Sequence, residues 1–166
     1  VFAENQVAET YFYSVSAGVS AGIKEVWFAK KDRSYLMPCV LLGDSRKTLD
    51  LQKEADFSEF LQGEIKSYDT NSPWYRWRTT VSEKQLQQFI SEKIKSRYEK
   101  NPTQIQTKQK DGTFFSTGQT ELGEIKKVEI LKRGKSGVAV MAQITGSKNT
   151  LRIYTESDIP HRARYD

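Results

Sequence analysis

Ser82-Glu83-Lys84-Gln85 constrains the fold of this chain more tightly than any other stretch, because it reads as the capping box at the start of a helix. The Ser82 hydroxyl can accept from the backbone N–H three residues on, while the Gln85 side chain reaches back to the Ser82 N–H. Two orphan donors of a first helical turn are thereby satisfied together. Leu86, Phe89, Ile90 and Ile94 follow at i, i+3, i+4 and i+8, which is one face of a helix. Asn101-Pro102 stops it, since the residue before proline is pushed out of the helical region. One amphipathic helix over about residues 82–100 is therefore expected. It must lay its apolar face against something.

The last third of the chain reads as β structure. Asp111-Gly112 is a turn signal between Thr103–Gln109 and Thr113–Ser116. Three strands are predicted beyond it, Ile125–Leu131, Val138–Thr145 and Thr150–Tyr154. Arg133-Gly134-Lys135-Ser136-Gly137 and Gly146-Ser147-Lys148-Asn149 connect them with hairpin chemistry. Val138, Val140, Ala142 and Ile144 alternate with Ala139, Met141 and Gln143, so one face of the middle strand is buried. Short consecutive strands in hairpins beside one helix predict an α+β fold, mostly antiparallel, ending in a β-meander.

Earlier in the chain the signals are weaker. Val7–Val15, rich in aromatic and β-branched residues, reads as a strand that runs into small residues around Gly18 and Gly22. Ile23–Phe28 reads as a short strand or an aromatic-bearing loop, and Phe57, Phe60, Leu61 and Ile65 suit a short helix. We read residues 1–166 as one domain, with a motif strand and turn over 1–44, a mostly helical insertion over 45–110 and a β-rich part over 111–166. The chain opens Val1-Phe2-Ala3 and stops at Arg164-Tyr165-Asp166, which reads as a piece cut at both ends.

Composition excludes several classes. With 37% hydrophobic, 28% charged and 11% aromatic residues the sequence reads as a polar globular protein, and no run approaches the roughly 20 apolar residues of a membrane span. A net charge of +5 favours an acidic partner, yet the basic residues are scattered rather than striped. Cys39 and His161 are the single cysteine and histidine, too few for a zinc site made by the protein alone, and no metal or cofactor is expected. Cys39 lies in the apolar stretch Leu36–Leu42 and reads as a buried small hydrophobe. Neither a phosphate loop, a dinucleotide fingerprint nor a nucleophile elbow occurs.

Three stretches could carry chemistry. In Tyr11-Phe12-Tyr13-Ser14-Val15-Ser16-Ala17-Gly18, a strand would point Ser14 and Ser16 to one face and Tyr13 to the other, hydroxyls suited to a polymer of sugars and amides or simply an exposed edge. Trp27 and Tyr35 are either stacking platforms or core. In Ser72-Pro73-Trp74-Tyr75-Arg76-Trp77-Arg78, arginines alternate with tryptophans. That suits a cationic aromatic ligand surface, a single-strand nucleic-acid binder, or a brace for the loop before the helix.

The order of these pieces resembles the stage II sporulation protein D (SpoIID/LytB) family. The resemblance rests on Phe12-Tyr13-Ser14-Val15-Ser16-Ala17-Gly18, then Val26-Trp27, Ser34-Tyr35-Leu36, Ser72-Pro73-Trp74-Tyr75-Arg76-Trp77 and the capped helix. Arg133-Gly134-Lys135-Ser136-Gly137, Ile144-Thr145-Gly146-Ser147 and Asp158-Ile159-Pro160 complete it, the last departing from the family's Asp-Ile-Arg. The resemblance implies peptidoglycan remodelling: family members include lytic transglycosylases and amidase enhancers. It implies glycan contacts at Tyr13, Ser14, Ser16, Gly18, Trp27 and Tyr35, with Glu25, Trp74, Arg76 and Trp77 as secondary candidates. The family's catalytic glutamate lies upstream of the serine motif, a segment this sequence does not contain, so no catalytic residue is assigned and activity of the chain alone stays open. Glu9 and Glu25 stand near the motif without matching that acid. Implied partners are peptidoglycan glycan strands and a cell-wall hydrolase, with no nucleic acid, in the envelope of a Gram-positive-type bacterium.

Overall fold

A computed structural model describes residues 1–26, 33–42, 49–63 and 65–154. Trp27, His161 and the Asp158-Ile159-Pro160 element lie outside the described residues. The chain divides into two compact units, one made of Val1–Arg78 with Lys135–Gly137, the other of Thr79–Gly134 with the chain from Val138 onward.

The second unit is built on the predicted helix and strands. α3 (Glu83–Lys100) begins at Ser82 with both halves of the capping box formed, the Gln85 N–H donating to Ser82 Oγ and the Ser82 N–H to Gln85 Oε1 at 3.0 Å. (α1 and α2 belong to the first unit, below.) Asn101 closes the helix and turns to cap a single 3-10 turn, Pro102–Gln104. The sheet holds β5 (Ile105–Lys108), β6 (Phe114–Phe115), β7 (Ile125–Arg133), β8 (Ala139–Gly146) and β9 (Thr150–Tyr154) in the order β6-β5-β9-β8-β7, every pair antiparallel. β7, β8 and β9 are the expected meander, and β5 adds itself to the far side of β9. Ile144 stands opposite Leu151, which stands opposite Thr107, while Ala142, Ile153 and Ile105 form the next row of the same face. On that face Ile94 of α3 joins Ile105, Leu122, Ile144 and the fully buried Leu151, with Ile90, Tyr98, Ile125 and Ile153 around them.

The helix buries a narrower stripe than its sequence pattern suggested. Ile90, Ile94 and Tyr98, four residues apart, lie against the core, whereas Leu86 and Phe89 stay exposed and Lys93 sits 5.4 Å over the Phe89 ring. Leu86 lies on the same i, i+4 line but in the first turn, and Phe89 lies off that line.

The first unit has little regular structure. β1 (Phe2–Ala3) and β2 (Gln6–Val7) form a hairpin whose turn residues, Glu4 and Asn5, both have positive φ (52° and 58°), the primed geometry that matches strand twist. β3 (Val19–Ser20) pairs with β4 (Cys39–Val40), α1 (Ile23–Val26) is a single turn, and α2 (Glu54–Gln62) carries Phe57, Phe60 and Leu61. Among its described residues Ile23, Leu51 and Phe60 are the buried apolar ones.

Three expectations fail here. Val7–Val15 is not a strand: pairing ends at Val7, and residues 8–18 contain no helix or strand. Ile23–Val26 is helical instead of a strand or loop. Cys39 is exposed, because it lies in a two-residue strand of a two-stranded ladder where Val40 beside it is exposed as well. Among the described residues no helix is long and apolar enough to cross a membrane.

Candidate functional site

The serine motif is a braced loop, and its two serines have different fates. Ser16 is buried, and Asp69, 53 positions later, accepts from both its N–H and its hydroxyl at 2.8 Å. The same Ser16 oxygen accepts from the Gly18 N–H at 3.3 Å. These two bonds, the backbone one first, hold the Asp69 carboxyl below the ordinary aspartate range. Gly18 is glycine for local reasons: its φ of +103° suits no other residue, and a Cβ there would stand 2.6 Å from Leu42 Cδ2. Ser14 is exposed and stands apart from this brace.

Arg76 completes the support. Its guanidinium donates to the Ala17 carbonyl from Nε (3.3 Å) and Nη2 (3.2 Å) and to the Gly63 carbonyl from Nη1 (2.8 Å), lying 4.4 Å over the Phe60 ring. Tyr75 donates its hydroxyl to the Ile65 carbonyl at 2.7 Å. Of the readings open for this stretch, the brace describes Arg76, while Trp74 and Trp77 on either side stay exposed at 69% and 63%.

Glu25, the first acid after the motif in sequence, is committed. Its carboxylate accepts from the Gly22 N–H at 3.0 Å and from both the N–H and the hydroxyl of Ser136. The loop bearing Ser136 is seated by Gly137, where an added Cβ would fall 2.6 Å from the Phe57 ring. Glu9 faces Arg33 at 3.7 Å.

In front of the brace opens a cleft of about 500 Å³. Tyr11, Phe12 and Tyr13 line it from the motif loop, Tyr35, Met37 and Cys39 from the later segment, and Ser16 and Ala17 line it too. The two segments are tied together: the Glu9 N–H donates to Tyr35 Oη at 3.2 Å, and Glu4 accepts from the Ser34 hydroxyl at 2.7 Å and N–H at 3.2 Å. Tyr11, Tyr13 and Tyr35 are 46%, 56% and 37% exposed, so open aromatic surface lines the cleft. Among the described residues no group of three or more His, Cys, Asp or Glu is placed to hold a metal ion.

The structure thus brings Tyr13, Ser16 and Tyr35 to one cleft, and leaves Ser14, Gly18, Glu25, Trp74, Arg76 and Trp77 off its lining. Sequence reasoning missed Asp69 altogether. Nothing in Tyr68-Asp69-Thr70 marks an acceptor for a loop 53 residues away, whereas the aromatic run Tyr11–Tyr13 was a visible signal for the cleft wall.

Residues 21–111 match the model of a family described as a domain of unknown function (DUF8618). A search of curated proteins and a search of solved structures each found no match. The matched segment opens just after the serine motif, contains α1, α2, α3 and β5, and stops at the turn after β5. More than half of the chain is covered, and the chain belongs to the DUF8618 family.

Proposed function

We propose that this chain binds glycan strands of peptidoglycan, as the substrate-holding portion of a SpoIID-like wall-remodelling protein in a Gram-positive-type bacterial envelope. The observation that carries the reading is the cleft walled by Tyr11, Phe12, Tyr13 and Tyr35. Sugar rings offer apolar faces rimmed by hydroxyls and amides, and exposed aromatic rings with a polar tip match both. A preformed cleft whose lining segments are cross-tied loses little freedom when a sugar enters.

Binding without cleavage is the form the geometry favours. A transglycosylase needs a carboxylic acid that protonates the glycosidic oxygen and then takes a proton back. Glu25 is occupied by Gly22 and Ser136, and Glu9 faces Arg33. On this reading the acid of such a reaction is supplied by another segment or by a hydrolase partner that this module assists. Nucleic-acid binding through Trp74, Arg76, Trp77 and Arg78 loses its central cation, because Arg76 is spent on the Ala17 and Gly63 carbonyls.

Co-sedimentation of the chain with purified sacculi, followed by mass spectrometry of the supernatant, tests this reading. Sedimentation without soluble muropeptides is expected. A chain that stays in solution contradicts glycan binding, and anhydro-ended products contradict the division of labour.

A further inference from the structure

Two tryptophans stand in water on a turn that the protein goes to some length to hold still. Trp74 and Trp77 expose 69% and 63% of their surface, although a tryptophan in a folded protein is on average largely buried. Between them Arg76 has a φ of 52°, a left-handed conformation that a non-glycine residue keeps only when its surroundings enforce it. Those surroundings are the three guanidinium bonds to Ala17 and Gly63 and the Phe60 ring below. The Trp74 N–H is fixed on Ser72 Oγ at 3.2 Å, and the Tyr75 N–H on the Ser72 carbonyl at 3.0 Å. Strain at Arg76 and exposure at its neighbours both cost stability, and the brace contributes nothing to burying either indole. Such cost is retained where a surface is used.

Ala17, the acceptor of two of those bonds, also lines the aromatic cleft. Arg76 thus ties the tryptophan turn to a residue that lines the cleft, and Trp77 follows Arg76 directly, about 3.8 Å on between α-carbons. We propose that Trp74 and Trp77 form a second stacking subsite continuous with the cleft, which holds a further sugar of the same glycan strand. This rests on the glycan reading above and adds chain length to it: the ligand is an oligosaccharide, and short fragments fill only the cleft. Stacking at this site accepts any hexose ring that presents an apolar face, and only a strand long enough to reach both places occupies both.

Isothermal titration of the chain with the di- and hexasaccharide of β-1,4-linked N-acetylglucosamine separates the cases. The hexasaccharide should bind roughly tenfold tighter, the gain of two added stacking contacts. W74A/W77A should abolish that preference while disaccharide affinity stays unchanged, and W74F/W77F, which keeps two rings, should retain much of it. Should the alanine variant lose thermal stability, the phenylalanine pair against a W74L/W77L pair decides the question. Length preference that survives all these substitutions, or tighter binding of an oligothymidylate than of the hexasaccharide, overturns the subsite. Disaccharide binding with no length preference sinks the subsite alone, and failure of both sugars to bind sinks the glycan reading with it.

Discussion

Replacing Ser16 by alanine tests whether the motif serine is a support or a ligand contact. Its hydroxyl donates to Asp69 and accepts from the Gly18 N–H, and the residue is only 8% exposed. Without it the Gly18 N–H, on a buried glycine, has no acceptor in the loop, and an orphaned buried donor costs about 1–3 kcal/mol. The bond is long at 3.3 Å, which puts the loss at the lower end, about 1–2 kcal/mol. The bond lost to Asp69 adds little, because that carboxylate is open to water and can turn to it. For a chain of this size such a loss lowers the melting midpoint by about 2–8 °C. Thermal and guanidinium unfolding of Ser16→Ala, with glycan binding measured well below the midpoint, checks it. Destabilisation with binding intact in the folded protein is expected. A variant as stable as the parent that no longer binds would refute the reasoning, since Ser16 would then be touching ligand and bracing nothing.

Three further outcomes follow from other parts of the molecule. Leu151→Ala, at the centre of the sheet-and-helix core, should cost about 2–5 kcal/mol in guanidinium unfolding, because its site is closed on every side. Asp69 has a folded-state pKa below its unfolded one, so its contribution is complete above the unfolded value and is lost as pH falls through the folded value; stability should decline below about pH 4, less steeply in Ser16→Ala. Cys39, at the open cleft wall, should react with a thiol-specific disulfide reagent at the rate of a free thiol without denaturant, and protection until unfolding would show that the apolar stretch is buried after all.

The second unit was largely legible in the sequence and the first largely was not. Ser82 and Gln85 carry their instruction within four residues, and Val138–Thr145 alternates on its own, so local pattern and final structure agree. The pairing of β5 with β9, which completes the core, joins Ile105 to Ile153 across the chain and has no local signature. In the first unit what matters is side chain to backbone across long gaps: Ser16 to Asp69, Arg76 to Ala17, Glu25 to Ser136. Such bonds follow no period. Val7–Val15 misled because β-branched and aromatic residues suit a strand and an exposed cleft wall equally well, and only the second use leaves Phe12 at 96% exposure. A four-residue helix such as α1 is shorter than any periodicity can register. Tyr13 and Tyr35 could be nominated separately, but their meeting in one cleft depends on the Glu9 and Glu4 cross-ties.

The central claim, that the tyrosine-walled cleft holds glycan, is tested most directly by titrating Tyr13→Ala/Tyr35→Ala and the parent chain with the same N-acetylglucosamine oligosaccharides. Both side chains are partly solvent-exposed and Tyr35 holds one cross-tie at Glu9, so the variant should stay folded with a modestly lower midpoint and lose at least roughly tenfold in affinity. A folded double variant that binds these sugars as tightly as the parent would contradict the account.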